Sequence, residues 1–169
     1  VMGSCLDRIE GVFGEKTLPD NGKKHIPATS SAPEIAFENV TFAYGEEDTV
    51  HNVSFTAEKN TMTALVGPSG GGKTTLANLL ARFWDIKSGS IKIRGVDIRD
   101  VPLAELMDKI SMVFQHVYLF ADTVYNNIAM GRPTATREEV EEAAKKARCY
   151  DFIMNLPQGF DTVIGEGGA

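Results

Sequence analysis

The stretch TALVGPSGGGKTTLANLL, Thr63–Leu80, constrains this chain more than any other. Gly67, Gly72, Lys73 and Thr74 satisfy the spacing G-x-x-x-x-G-K-[ST], with an apolar run before it and an amphipathic run after it. Each residue type has a physical reason. Gly67, Gly70, Gly71 and Gly72 let successive backbone N–H groups turn inward around an anion with no Cβ in the way. A helix beginning near Lys73 aims the positive end of its dipole at the same place. Lys73 then reaches the outer phosphates of a nucleotide as a point charge, and the Thr74 hydroxyl is an oxygen donor suited to Mg²⁺. A glycine-rich turn that merely joins strand to helix is the simpler alternative, and the conjunction of spacing and context disfavours it.

The surrounding pattern predicts an α/β fold. Residues from about 14 to 33, GEKTLPDNGKKHIPATSSAP, have the composition of a linker and no apolar periodicity. In EIAFENVTFAY the apolar residues Ile35, Phe37, Val40, Phe42 and Tyr44 alternate, and Val53 and Phe55 alternate again after the turn GEED. This front section predicts a small antiparallel sheet. TMTALVG reads as a short apolar strand entering the glycine loop, and KTTLANLLARFW puts Leu76, Leu79, Leu80 and Phe83 on one helical face. SGSIKIRG predicts a strand, PLAELM a short helix opened by Pro102, and ISMVFQ a second buried strand. Beyond Asp122 the pattern turns helical. Thr136 and Glu139 form a capping box ahead of Val140, Ala143, Ala144 and Ala147, with Glu141–Lys145 and Glu142–Lys146 as pairs on the wet face.

Two further residues carry a chemical possibility beside a structural one. Tyr44 ends a strand before an open turn, about twenty residues ahead of the glycine loop. There it can be a core aromatic, or a ring on which a purine stacks at about 1–3 kcal/mol. Gln115 ends the strand ISMVF. It can be an ordinary terminal amide, or it can face the ligand crevice that forms at strand C-termini in an open α/β sheet. His25, His51 and His116 show no metal-ligand spacing and read as surface or loop residues. Cys5 and Cys149 are far apart and read as free thiols. The net charge of -6 argues against a general nucleic-acid binder. No run approaches the roughly eighteen apolar residues of a membrane span. Both ends read as cut: the chain begins at Val1 in VMGSCLDRIEGVFG, like a helix tail, and stops in the glycine-rich IGEGGA.

Taken together, FAYG, VHNVSF, GPSGGGKTTLANLLARFWD, SGSIKIRGVDI, ISMVFQHVYLF, TVYNNIAMGRP and DFIMNLPQGFDTVIGEGG resemble the ATP-binding subunit of ABC transporters of the exporter type. They occur in that family's order from about residue 34 to 168. The resemblance implies a phosphate-loop NTPase core with an antiparallel β subdomain and the start of a helical subdomain. Residues 34–121 correspond to the β subdomain and phosphate-loop core and 122–169 to the helical subdomain. Residues 14–33 are then a linker, and 1–13 the end of a helix from an upstream transmembrane domain. Residue by residue, Tyr44 corresponds to the adenine-stacking aromatic. Ser69, Gly70, Gly71, Gly72, Lys73, Thr74 and Thr75 lie in the loop that holds ATP, with Thr74 also on Mg²⁺. Gln115 corresponds to a metal and water contact at which the membrane domain docks. GEGG is similar to a loop that touches the partner domain, although Gly167 stands where the family usually shows arginine.

The resemblance further implies two partners, a transmembrane domain of the same transporter and a second nucleotide-binding domain, at the cytoplasmic face of a membrane. The family's signature sequence, its metal-holding Asp, catalytic Glu and switch His normally follow the last matching segment, and none occurs in these residues. The expectation is a chain that binds Mg-ATP without hydrolysing it. The alternative is a complete small kinase-like phosphate-loop enzyme. It needs an acid and an arginine-bearing lid, for which only Arg132 and Arg137 are on offer.

Overall fold

A computed structural model describes residues 13–14 and 17–165. The expected helix tail at 1–13 lies, apart from Phe13, outside the described residues, as does most of GEGG with Gly167. The chain forms two compact units, one through Ser111 and one from Met112.

The first unit is built on four antiparallel strands in the order β2-β1-β3-β4: β1 (Ile35–Phe42), β2 (Val50–Ala57), β3 (Ser88–Ile93) and β4 (Val96–Asp97). The front hairpin forms as the alternation predicts, with a refinement. Between Phe37 and Val40 the register slips, which resets the apolar phase and keeps both residues buried. Asn39 takes up the slip at a left-handed φ of 49°, its N–H donating to Ser54 Oγ at 2.8 Å. Across the sheet only glycine fits at position 89, where a Cβ would stand 2.4 Å from the Asn39 carbonyl oxygen.

Helix α1 (Lys73–Leu80) buries Leu76 and Leu79 among Phe37, Val40, Phe42, Ile91 and Ile93. Phe83 falls beyond its end and is exposed. Helix α2 (Leu103–Lys109) begins after Pro102, as expected, and adds Leu106 to the same core.

Two expected strands do not form. Thr61–Gly67 and Ile110–Gln115 have no strand pairing, and Val66 is 90% and Val113 93% exposed. Their apolar runs were legible. A strand, however, is stabilised by ladder bonds to a neighbour and by packing on its faces, and among the described residues neither run has such a neighbour. An open apolar groove lined by Phe37, Phe55, Leu65, Leu76 and Leu80 remains beside the first run.

The segment with linker composition has neither helix nor strand between residues 17 and 33, yet it is fastened to the first unit. Asp20 accepts the Leu103 N–H at 2.8 Å, and the Lys24 N–H donates to the Asp100 carbonyl at 2.8 Å. Glu105 accepts the Ile26 N–H at 2.9 Å and pairs with His25 at 2.6 Å. The His25 ring and that N–H hold the Glu105 carboxyl below the usual carboxylate range. Ile26 is buried in the core.

The second unit packs α3 (Val124–Ala129), α4 (Arg137–Lys146) and α5 (Tyr150–Met154) around Val124, Val140, Ala144, Ile153 and Phe160. The Thr136–Glu139 capping box is present in both directions. Glu142 and Lys146 pair at 3.8 Å as expected. In place of a Glu141–Lys145 pair, Glu141 turns to Arg137 at 3.4 Å and Lys145 lies over the Tyr150 ring at 4.9 Å. Ala143 and Ala147 are exposed, so the buried stripe of α4 is narrower than its alanines imply. No helix among the described residues is long and apolar enough to cross a membrane.

Candidate functional site

The glycine loop runs into α1 with the geometry its composition requires. Gly67, Gly70 and Gly72 have φ values of 158°, 77° and 77°, the last two in the left-handed region that side chains resist. The loop closes on itself through the Gly71 N–H to the Pro68 carbonyl at 3.1 Å. Gly72 caps α1 with no side-chain bond to the first turn. The helix therefore opens without a carboxylate or hydroxyl cap, which leaves its positive end available to an anion. At Gly70 a Cβ would point into open space, whereas at Gly72 it would press on the Thr49 carbonyl and on Val50 at 3.2 Å. Gly72 is thus required by conformation and by close approach together.

The Lys73 ammonium donates to the Gly67 carbonyl at 3.0 Å and to the Pro68 carbonyl. Its charge sits over the loop, and a bound phosphate would exchange these carbonyls for a charge-assisted contact. Ser69 and Thr74 are exposed, while Thr75 is buried beneath the first turn of α1. Thr74 offers an exposed hydroxyl oxygen at the helix start, which fits one oxygen position of a Mg²⁺ ion. No group of three or more His, Cys, Asp or Glu side chains that could hold a metal occurs among the described residues.

Tyr44 is brought to this loop by the front hairpin. The turn after β1 is closed by the Thr49 N–H to the Phe42 carbonyl at 2.8 Å. Asp48 braces it through Lys87 at 3.0 Å and His51 at 3.3 Å. The hydrogen bond from Lys87 holds the Asp48 carboxyl below its usual range against the opposing effect of burial, and His51 adds a lesser lowering. The Tyr44 hydroxyl donates to Thr75 Oγ1 at 3.4 Å, and half of its surface stays exposed. Tyr44 and the loop residues through Thr75 are therefore gathered in the first unit. Gln115 belongs to the second unit, on an exposed irregular stretch and not at the end of a strand.

Sequence reasoning passed over Trp84. Its ring meets Tyr44 edge-on, with centroids 5.3 Å apart at 89°. The available signal was an aromatic residue just past the end of the loop helix. The sequence alone does not say which way such a residue turns.

Comparison with known proteins places this arrangement. The chain is 50% identical over 145 residues to an ATP-dependent lipid A-core flippase of Desulfotalea psychrophila, covering 84% of this chain and 25% of that protein. It is 46% identical over 167 residues to a Bacillus subtilis protein whose name describes a multidrug export ATP-binding/permease protein, covering 98% of this chain and 29% of that one. Among solved structures it resembles a bacterial Atm1-family ABC exporter with ATP bound, at a TM-score of 0.85 and 38% identity over 96% of this chain and 29% of the exporter. The chain thus spans between a quarter and a third of the length of these relatives. The family model for the ABC transporter matches residues 50–165. With its phosphate-loop geometry and these matches, the chain belongs to the ABC transporter family.

Proposed function

We propose that this chain is the nucleotide-binding part of an ABC exporter, and that it holds Mg-ATP through the loop from Gly67 to Thr75 and the ring of Tyr44. One observation carries the reading: the helix end capped only by Gly72 lies against the hairpin that ties Tyr44 to Thr75, so a phosphate cradle and an aromatic platform adjoin. In this reading Gly70, Gly71 and Gly72 present N–H groups, Lys73 neutralises the outer phosphates, and Ser69 and Thr75 add hydroxyls. Thr74 is the metal contact in the first unit. Bound Mg²⁺ would neutralise phosphate charge.

In the parent protein, ATP binding and hydrolysis would drive transport through a transmembrane domain of the same polypeptide. The ATP-binding/permease name of the Bacillus subtilis relative supports that partner. A second nucleotide-binding domain and a place at the cytoplasmic face of the membrane complete the proposal. The exporter relatives do not favour a free-standing kinase.

These residues by themselves are proposed to bind nucleotide without turning it over. Phosphoryl transfer depends on several groups acting as a unit, and the phosphate and metal contacts alone do not yield a proportionate share of the rate. The test is calorimetric titration of Mg-ATP into the chain and into Lys73→Ala, with phosphate release measured on both. Binding lost in Lys73→Ala, with release equal in the two proteins, is the expected outcome. Equal affinity in the two proteins refutes the site, and release well above the Lys73→Ala control refutes the lack of turnover.

A further inference from the structure

We infer that Trp84 is a positioning residue for base recognition: its indole sets the plane of the Tyr44 ring. The inference rests on the reading of Tyr44 as the base platform and adds to it the residue that holds the platform in place.

The hydroxyl alone holds Tyr44 weakly, because its bond to Thr75 Oγ1 is long at 3.4 Å. The ring plane is set by two aromatic neighbours standing nearly perpendicular to it. Phe42 lies 4.8 Å away at 87° and Trp84 5.3 Å away at 89°. Edge-to-face contact matches the positive rim of one ring to the negative face of the other, so each neighbour resists rotation of Tyr44. Phe42 is a buried core residue of β1, whereas Trp84 is 49% exposed. A core-filling role alone does not account for a half-exposed tryptophan against a half-exposed tyrosine.

Trp84 is itself held firmly. It follows Arg82, which is buried in a left-handed conformation at φ 53°. The Arg82 Nε donates to Asp85 at 3.0 Å and Nη2 to the Pro19 carbonyl at 2.7 Å, so both sides of Trp84 are fixed. The indole also lines a small gap with Leu79, Ile86, Ile91 and Ile98. One part of the ring is rooted on the core, and Tyr44 leans on the rest. The turn that ends the phosphate-loop helix thereby supports the aromatic residue that the front hairpin delivers.

The experiment compares ATP with inorganic tripolyphosphate, which has the phosphates and no base. In calorimetric titrations Trp84→Leu is expected to weaken ATP about three- to tenfold, the range an edge-to-face pair corresponds to. Tripolyphosphate affinity is expected to stay unchanged. Trp84→Phe, which keeps a ring, is expected to recover most of the loss. In a Tyr44→Ala background Trp84→Leu is expected to add nothing. Equal weakening of tripolyphosphate overturns the inference in favour of a merely structural role. Additive losses in the double variant overturn it in favour of Trp84 contacting the base directly. If Tyr44→Ala itself leaves ATP affinity unchanged, the reading of Tyr44 falls; if Tyr44→Ala weakens ATP and Trp84→Leu does not, only the present inference falls. One measurement needs no folded variant. Trp84 is the single tryptophan of the chain, so its emission is expected to change with ATP and not with tripolyphosphate. Emission unchanged at saturating ATP overturns the inference.

Discussion

Arg82 lends itself to a prediction that runs against ordinary intuition: at this position glycine is better tolerated than alanine. Arg82 ends the phosphate-loop helix region, is 3% exposed and holds φ at 53°. Its replacement by alanine removes the charge-assisted bond to the Pro19 carbonyl, about 1.5–3 kcal/mol. It also removes an ion pair with Asp85, whose side chain is 31% exposed, worth about 0.2–1 kcal/mol. Against this, Nη1 is buried with no hydrogen-bonding partner among the described residues, and its removal returns about 1–3 kcal/mol. The difference, with the lost packing of the alkyl stem, is a destabilisation of about 1–2 kcal/mol.

Glycine loses the same contacts but is free of the left-handed strain, which costs a side-chain-bearing residue about 1–2 kcal/mol. The extra freedom of glycine in the unfolded chain takes back about 0.4–1 kcal/mol. Arg82→Gly should therefore be more stable than Arg82→Ala by about 0.5–1 kcal/mol. Urea unfolding followed by far-ultraviolet circular dichroism measures the pair directly. Arg82→Ala equal to or more stable than Arg82→Gly would refute the strain argument, since every contact cancels in the comparison.

Three other outcomes are expected. Asp97 is driven upward by burial, but the Arg99 guanidinium and N–H, at 2.7–3.0 Å, outweigh this and hold its carboxyl below the usual range. A depressed folded value means that its stabilisation is present above the ordinary carboxylate pKa of about 3.9 and is lost as pH falls through the folded value. Urea midpoints measured on acidification should fall less in Asp97→Asn than in the wild type, and parallel falls would contradict this. Thr136→Ala should cost the α4 start about 0.5–2 kcal/mol, seen as faster exchange of the Glu139 N–H, while amides of the first unit such as Lys24 keep their rates. The exposed runs Thr61–Val66 and Ser111–Phe114 should drive concentration-dependent self-association, and sedimentation of a monomer at every concentration would count against it.

What the sequence determined by itself was set by signals lying within a few residues of one another. The glycines and Lys73 need only their own spacing to make a loop and a helix start. Thr136 and Glu139 need only each other to start α4, and the alternation around Phe37 and Phe55 needs only a turn to become a hairpin. Tertiary structure decided whatever depends on a distant partner. TALV and SMVF carry strand composition, yet a strand also needs a neighbour, and no local pattern contains one. Residues 17–33 read as a free linker because their anchors, Asp100, Glu105 and Arg82, lie more than fifty positions away. Trp84 became part of the candidate site because a left-handed turn at Arg82 directs its ring toward Tyr44. Forty residues separate the two rings in the chain, and only the folded backbone brings them to 5.3 Å.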